Sequence, residues 1–316
     1  FRTIAYTTGR IDESRQVLYG DLVIEAEGDP HFTLESAEIL AASIRSQGIK
    51  RVEGRLIFRG PFRFFRRWST EYAQTRMRAA LGLTFPKLSK DSVDVENKGV
   101  VESEERVLLG VHSSKPLREL LLYMNAHSDN FYADQLGEAL GGPSVVQQEL
   151  QAEFKLQPYE LQISHTSGLD YNRITPRASL AIQRKMIQLL AKHHMKIEEI
   201  VPVAGVDSGT LATRFRSEDM RGAIVGKTGT LNVTDNGVSA LQGVIYTRRF
   251  GPVMYALFNM GGGVHYFRKL QDEFLKEALA ELGTELTPIR TENIFGEVSV
   301  ETPKFKVKKV SRRYRR

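Results

Sequence analysis

The sequence predicts an α/β protein in which strand patterns and helix patterns alternate along the chain. Short apolar runs bounded by Gly, Asp and Pro are typical of strands, and longer amphipathic stretches are typical of helices. Hydrophobic residues make up 41% and charged residues 26% of the 316 residues, as in ordinary globular proteins. A chain of this length has room for one large domain with an insertion, or for two domains.

The first third of the chain predicts a strand, a helix and a second strand. Apolar runs at 17–24 and 52–58 indicate strands, and a Gly-Asp-Pro turn signal at 28–30 separates them. Residues 34–47 carry apolar side chains at helical spacing and end before a glycine. Over 61–115 the pattern weakens, so this stretch is expected to form a surface-lying connection rather than a second core.

Aromatic residues and arginines alternate near the start of that connection. Such a pattern permits stacking on nucleic acid, but no recognisable nucleic-acid-binding fold accompanies it. We therefore favour a lining of an inserted domain or a surface for a partner. The residues are Phe62, Arg63, Phe64, Phe65, Arg66, Arg67 and Trp68.

Helix patterns are stronger from Pro116 onward. A wide apolar face begins there, glycines at 141–142 end a second helix, and Thr175-Pro176 opens a later one with proline in its favoured first turn. Gly261-Gly262-Gly263 is interpreted as a turn because it lacks the context of a phosphate loop. The predicted helices are 116–124, 131–140, 175–192, a short one after Gly205, and 267–282, and the predicted strands are 161–163, 223–229, 238–246 and 253–259.

Composition excludes several kinds of site. The absence of cysteine excludes a disulfide framework, thiolate metal sites and a cysteine nucleophile. The histidines His127, His165 and His265 share no metal-ligand spacing, so each is expected to be a surface or hydrogen-bonded residue. No apolar run reaches the length of a membrane span. The start at Phe1, without a charged and apolar leader, is interpreted as a mature or cut end.

The net charge of +6 is concentrated at the carboxyl end of the chain. The rest is near neutral and gives no general argument for nucleic acid as a partner. A solvated, disordered tail is the simplest interpretation, and binding to an anionic cell-surface polymer or lipid headgroup is the alternative. The basic residues are Lys304, Lys306, Lys308, Lys309, Arg312, Arg313, Arg315 and Arg316.

Two short motifs carry the chemistry. Ser128-x-Asn130 lies on a predicted turn between helices, and Lys227-Thr228-Gly229 lies on a predicted strand. Either tripeptide alone is weak evidence, but their order and context together resemble the second and third motifs of active-site serine penicillin-recognising enzymes. Asp129, between the motif residues, is expected to be a capping or turn residue.

Flanking segments make the resemblance more specific. Thr166-Ser167-Gly168-Leu169 with Asn172-Arg173-Ile174-Thr175-Pro176, and Asp207-Ser208-Gly209-Thr210-Leu211, are similar to segments of class C low-molecular-mass penicillin-binding proteins, the D-alanyl-D-alanine carboxypeptidase/endopeptidase family. Near the start, Gly20-Asp21-Leu22 and Gly28-Asp29-Pro30 resemble the domain inserted in this branch.

The resemblance implies a domain organisation and a fold. It implies an inserted mixed α/β domain over 1–115, a penicillin-binding peptidase domain over 116–287 and a basic tail over 288–316. The peptidase domain is expected to have the β-lactamase/transpeptidase-like fold, an antiparallel sheet flanked by helices together with a helical lobe.

The resemblance also implies an activity, which is serine-type cleavage of D-Ala-D-Ala bonds or cross-bridges in peptidoglycan through an acyl-enzyme. Expected ligands are stem peptides and β-lactams, no metal or organic cofactor is expected, and the location is periplasmic or extracytoplasmic. Carboxypeptidase and endopeptidase activity remain equally open.

Chemical roles follow for six residues. Ser128 relays a proton to the leaving group, and Asn130 holds the substrate backbone and nearby lysine side chains. Lys227 supplies a positive charge for a terminal carboxylate and favours proton transfer at Ser128, and Thr228 is a second donor to that carboxylate. Gly229 lets the substrate approach as an added strand, and the Thr230 N–H is a candidate oxyanion donor.

One family motif has no counterpart. No Ser-x-x-Lys occurs among the 316 residues, although the family carries its nucleophile there, before the insertion. We expect an N-terminal truncation that removes this motif. The alternative is a nucleophile-lacking homologue that binds peptidoglycan or a partner.

Overall fold

The computed structural model describes residues 1–85 and 106–283. The described chain divides into two compact units, the first formed by residues 1–115 and the second beginning at Pro116. The predicted basic tail, 288–316, lies outside the described residues.

The first unit combines strands and two helices around a main apolar core, with a smaller apolar cluster of Tyr6, Val23 and Ile57. β1 pairs antiparallel with β4 and β7, and β6 joins β4 in parallel, which gives the sheet order β6-β4-β1-β7. A smaller sheet has the order β2-β3-β5. In the described part of this unit the elements are β1 (Arg2–Thr7), β2 (Arg10–Asp12), β3 (Val17–Tyr19), β4 (Leu22–Ala26), α1 (Leu34–Arg45), β5 (Arg51–Val52), β6 (Leu56–Arg59), α2 (Thr70–Leu81) and β7 (Val107–Ser113).

Local sequence signals explain why α1 forms where predicted. The side chain of Thr33 accepts a hydrogen bond from Ser36 N, which satisfies one of the free N–H groups of the first helical turn. Leu40 and Ile44, four residues apart, lie on one face and are buried in the core. The prediction of a helix in this stretch is confirmed, with its end at Arg45.

The prediction of a surface-lying connection over 61–115 is wrong over 61–81 and over 107–113, where β7 joins the main sheet and buries Leu109. Phe62 and Phe64 are only 2% and 3% exposed and contact Phe32 through edge-on rings. Residues Thr70–Leu81 form α2, capped by the side chain of Ser69. The arginines obscured the alternating apolar pattern of this segment. Phe62 and Phe64, two residues apart, point inward, while Arg63 between them stays partly exposed.

The second unit places helices around an antiparallel sheet. Its described elements are α3 (Leu117–His127), α4 (Asn130–Ala139), α5 (Pro143–Phe154), β8 (Leu161–Gln162), β9 (Arg173–Ile174), α6 (Pro176–Lys192), β10 (Ile224–Leu231), β11 (Val238–Thr247), β12 (Gly251–Met260) and α7 (Val264–Leu282), with single turns of 3-10 helix at Ile197–Glu199 and Thr234–Asn236. The strand order of the main sheet is β10-β11-β12.

Alternation along β10 gives this sheet a core on each face. Ile224 is buried with Leu275 and other residues of α7, whereas its neighbour Val225 is buried with the residues around Ile200 and the apolar face of α6. Neighbouring residues of a strand point to opposite faces, so one strand serves both cores. This packing fixes the position of β10 between α6 and α7.

The structure corrects one further prediction in this unit. The short helix expected after Gly205 does not form, and residues 206–222 fold as turns. The 3-10 turn at Ile197–Glu199 precedes that stretch instead. In the described ranges, no helix is both long and apolar enough to cross a membrane.

Candidate active site

The turn between α3 and α4 presents Ser128. This residue ends α3 in the left-handed conformation, with φ 52° and ψ 52°, and its N–H donates to the carbonyl of Met124. The side chain of Asp129 accepts from Tyr132 N at 3.2 Å and so caps α4, as expected for a turn residue. Asn130 is the first residue of α4, is exposed, and lines a cleft together with Ser128.

The strand β10 presents the second motif. Lys227, Thr228 and Gly229 pair with Gln242, Leu241 and Ala240 of β11. A side chain at Gly229 would meet the Cβ of Ala240 at 3.2 Å, a close contact that favours glycine there. The pairing with β11 holds the motif in an extended, rigid backbone at the cleft wall.

The two motifs meet through one hydrogen bond. The Nζ of Lys227 donates to Oγ of Ser128 at 2.8 Å and to the carbonyl of Thr228 at 2.5 Å. Burial lowers the pKa of Lys227 to about 8, because a desolvated ammonium is less stable than a hydrated one. Since the lysine donates to the serine oxygen, the serine O–H is left to donate to a ligand in the cleft.

A second link joins the same two elements. Oγ1 of Thr228 lies 2.9 Å from Oγ1 of Thr210, whose N–H donates to the carbonyl of Ala126 in α3 at 2.8 Å. Gly209 makes this approach possible, because its φ is 107° and a Cβ there would lie 2.1 Å from the Ala126 oxygen. Thr210 therefore fixes β10 against the α3–α4 turn.

Thr230 contacts a residue that the sequence analysis missed. Nη2 of Arg268 donates to Oγ1 of Thr230 at 2.8 Å. Arg268 belongs to the second turn of α7 and is partly buried at the cleft. Nothing in the sequence near Arg268 signals this role, because α7 reaches the cleft only through the fold.

The outer edge of β10 has backbone groups directed away from β11. The Gly226 N–H donates to the carbonyl of Pro202, and the Ile224 carbonyl accepts from Ala204 N, so these two residues point outward. Backbone direction alternates along a strand, and hence Thr228 and Thr230 point outward as well. Beyond Gly226, residues 227–231 of this strand line the cleft.

The opposite wall of the cleft comes from the loop before β9. Oδ1 of Asp134 accepts from Ser167 N at 2.8 Å and from Thr166 Oγ1 at 3.1 Å. Gly137 leaves room for this loop, since a Cβ there would lie 2.0 Å from Thr166 Oγ1. Oδ1 of Asn172 accepts from Ser164 N and His165 N, at 2.9 and 3.1 Å.

The two walls enclose a cleft of about 940 Å³. Neither Asp134 nor Asn172 has a predicted role from sequence. Their carboxylate and amide oxygens hold the loop by accepting from its backbone, which only the folded chain shows.

All six predicted site residues line this cleft. Ser128 and Asn130 come from the α3–α4 turn, and Lys227, Thr228, Gly229 and Thr230 come from β10. The histidines lie elsewhere in roles of their own: His127 packs on Tyr123, with ring centroids 4.6 Å apart, and His165 contacts Asp170 at 3.4 Å. Within residues 1–85 and 106–283, no group of three or more His, Asp or Glu side chains could hold a metal ion.

The comparison with protein families gives one match. The model of the family described as D-Ala-D-Ala carboxypeptidase 3 (S13) matches residues 70–281, more than half of the chain. The match includes both motifs of the cleft. Among curated protein sequences, none matches this chain significantly.

Solved structures share the fold at low sequence identity. A predatory endopeptidase of Bdellovibrio bacteriovorus, Bd3459, is 18% identical with a TM-score of 0.70, over 93% of this chain and 83% of that chain. Penicillin-binding protein 4 of Haemophilus influenzae, in complex with a β-lactam, is 21% identical with a TM-score of 0.65, over 87% and 85% of the two chains. A second predatory endopeptidase, Bd0816, in complex with an immunity protein, gives 19% and 0.64 over 89% and 80%. These likenesses confirm the predicted fold class.

Proposed function

Since the chain belongs to the D-Ala-D-Ala carboxypeptidase 3 (S13) family, we propose that its cleft binds the D-Ala-D-Ala terminus of peptidoglycan stem peptides in serine-type DD-peptidase catalysis. The observation that carries this proposal is the 2.8 Å hydrogen bond from Lys227 Nζ to Ser128 Oγ. It joins a serine and a partly buried lysine of separate elements in one cleft. The chemistry of amide cleavage needs such a pair to protonate the departing amine.

Ser128 and Lys227 form the proton path of the proposed reaction. As the peptide bond breaks, the Ser128 hydroxyl donates its proton to the leaving D-alanine amine, and Lys227 supplies a proton to Ser128 Oγ in turn. A pKa of about 8 for Lys227 suits this role, because a group near neutrality gives and takes a proton readily. Lys227 in its charged form also attracts the terminal carboxylate of the substrate.

The edge of β10 orients the substrate in this proposal. An extended peptide adds to the edge beyond Gly226 and bonds to the outward backbone groups of Thr228 and Thr230. The Thr230 N–H is the proposed oxyanion donor, and its outward direction supports this. The Thr228 hydroxyl, which donates to Thr210 in the structure, rotates to donate to the substrate carboxylate. Asn130 holds the substrate backbone from the α4 side.

The acylated serine is proposed to lie outside the 316 residues. Ser128 is followed by Asp129, Asn130 and Phe131, so no lysine stands three positions on. On a helix, residues three apart share a face, which brings a basic lysine to its serine. The alternative function is a nucleophile-lacking module that binds peptidoglycan or a partner through the same cleft.

The proposed partners follow from the structural neighbours. The Bd3459 endopeptidase has been solved acylated by penicillin G, and penicillin-binding protein 4 of Haemophilus influenzae holds a β-lactam. We extend β-lactams from these neighbours to this cleft. Stem peptides follow from the D-Ala-D-Ala specificity in the family's description, and a periplasmic or extracytoplasmic location is proposed with them. An anionic polymer at the basic residues 304–316 stays a prediction, because those residues lie outside the described chain.

Mass spectrometry and D-alanine release test the proposed function. The product of the complete gene, incubated with penicillin, is expected to gain the mass of one acyl group, and the 316-residue chain alone is expected to gain none. The complete product is also expected to release D-alanine from a diacetyl-lysyl-D-alanyl-D-alanine peptide. A complete product that binds the peptide without adduct or release would support the nucleophile-lacking alternative. An adduct on the 316-residue chain would show that the nucleophile was misassigned.

A further inference from the structure

The cleft is lined by more cationic than anionic side chains. They are the cations Arg173, Arg214, Lys227 and Arg268 and the anions Asp235 and Asp272. Each of the two carboxylates is paired with an arginine. Nη2 of Arg173 lies 3.1 Å from Asp235, and Nε of Arg214 donates to Asp272 at 2.9 Å.

Two cations therefore remain without a carboxylate in the described part of the cleft, Lys227 and Arg268. Arg268 and Asp272 are four residues apart on α7, a spacing that ordinarily allows an ion pair. Asp272 pairs with Arg214 instead, and Arg214 also donates to the Arg268 carbonyl at 3.4 Å. The charge of Arg268 is thus directed to the cleft while its backbone is held in place.

Arg268 contacts the strand to whose edge the peptide is proposed to add. Its guanidinium donates to the Thr230 hydroxyl at 2.8 Å, and Thr230 shares a strand face with Thr228, two residues away. A ligand oxygen that accepted a hydrogen bond from the Thr230 hydroxyl would therefore lie beside this guanidinium. The hydroxyl is neutral, so it orients the arginine without cancelling its charge.

We propose that Arg268 is a specificity-determining residue that recognises the free C-terminal carboxylate of the peptide. This inference rests on the proposed function and names the substrate class that the cleft selects. Arg268 and Lys227 attract the carboxylate from two sides of the β10 edge. A guanidinium is well suited to this, because its fixed fork of N–H donors matches the two carboxylate oxygens.

The proposal makes a ligand preference measurable without catalysis. Peptides ending in a free carboxylate bind more tightly than the same peptides ending in a neutral amide. Arg268→Gln removes the charge and keeps a polar side chain, so it reduces this preference. A contribution of Arg268 to folding alone would weaken both peptides equally, which separates the two roles.

The experiment is a ligand-observed NMR titration of the 316-residue chain. The probes are diacetyl-lysyl-D-alanyl-D-alanine and its C-terminal amide. Arg268→Gln is expected to weaken binding of the carboxylate peptide about tenfold, which corresponds to about 1.4 kcal/mol, and to leave the amide peptide unchanged. Arg268→Lys, which keeps the charge but not the fork, is expected to recover only part of the affinity that Arg268→Gln loses.

Lys269→Gln is the matched control, because it removes one charge from the same helix at a side chain that is 75% exposed and paired with Glu273. It is expected to change neither affinity. Equal binding of the two peptides to the wild-type chain, or an equal loss for both in Arg268→Gln, would overturn the inference and leave the proposed function standing. Binding of neither peptide to the wild-type chain would contradict the proposed function and the inference with it.

Discussion

Burial shifts the pKa of titratable groups in each of the two units, and the surroundings of these groups differ. In the first unit, Nδ1 of His112 lies 3.7 Å from Oδ2 of Asp29, with side chains 5% and 1% exposed, beside the ring of Phe32. Burial raises the pKa of Asp29 to about 6 and lowers the pKa of His112 to about 4. In the second unit, burial lowers the pKa of Lys227 to about 8, but this lysine contacts Ser128 at the wall of an open cleft.

The comparison separates two consequences of the same physical effect. Desolvation shifts the pKa in both units, since burial always disfavours the charged form. In the first unit the shifted groups are enclosed, so their titration acts on stability. In the second unit the shifted group faces a cavity large enough for a ligand, so its titration acts on binding and proton transfer. A perturbed pKa indicates a functional site only where a ligand has access.

The largest expected effect tests the first unit as a purely structural core. Phe64→Ala is expected to destabilise that unit by about 3–5 kcal/mol, because it leaves a cavity among Phe32, Phe62 and Tyr72. Urea denaturation followed by the fluorescence of Trp68, the single tryptophan, measures it. Phe65→Ala, at a partly exposed neighbour, is the control and should cost less than half as much. Equal losses of unfolding free energy in both variants would indicate that Phe64 is not a core residue and that this segment lies at the surface.

The next effect tests the second unit as a reactive site. Ser128→Ala in the complete gene product is expected to slow D-alanine release about 100-fold, since it removes a positioned proton donor. The free energy of unfolding is expected to change little, because the hydroxyl lies at the cleft. Steady-state kinetics and circular dichroism of the same samples check both statements. Loss of the folded spectrum would assign Ser128 a structural role.

Lys227→Ala should have a somewhat smaller effect that is shared by two ligands. Penicillin acylation and peptide hydrolysis are both expected to fall about 30-fold, or about 2 kcal/mol, because both ligands present a carboxylate. Acylation rates from intact-mass time courses measure the first and D-alanine release the second. Lys269→Ala, on the exposed side of α7, serves as the control. Undiminished acylation would remove Lys227 from the site.

The last effect, about as large as that of Lys227→Ala, tests whether the pair in the first unit acts on stability. A raised pKa of Asp29 means that its contribution is complete below pH 3.8 and is lost as the pH rises through about 6. His112 has a lowered pKa, so its contribution is present above pH 6.5 and is lost as the pH falls through about 4. The two opposed trends partly cancel in the wild-type chain.

Asp29→Asn removes the acid's contribution and leaves that of His112. Relative to wild type, the variant is expected to lose about 2 kcal/mol of stability between pH 7 and pH 4.5. Urea denaturation with Trp68 fluorescence at both pH values gives the difference. D-alanine release by the variant is expected to be unaffected. A pH dependence of stability identical to that of wild type would show that Asp29 does not titrate in this range.

The predictable part of the molecule is the part with local signals. α1, α6, β11 and β12 follow from periodicity, caps and turn residues within their own segments. The burial of Phe62 and Phe64 was missed because arginines between the aromatic residues obscured the inward-facing pattern. α2, which follows them, was missed because its buried face consists largely of small or polar side chains, Ala73, Gln74 and Ala80. The expected helix after Gly205 failed because that stretch is tied by backbone hydrogen bonds to other elements, such as Thr210 N to Ala126.

The sequence by itself determined the fold class and the identity of the two motifs, because residue types in a fixed order are local information. Tertiary structure alone decided which side chains meet. It placed Lys227 Nζ 2.8 Å from Ser128 Oγ. It also placed Thr210, which belongs to neither motif, between the two motifs, and it brought Arg268 of α7 to Thr230. Distances between segments far apart in the chain depend on the packing of every element between them, and no pattern within one segment encodes that packing.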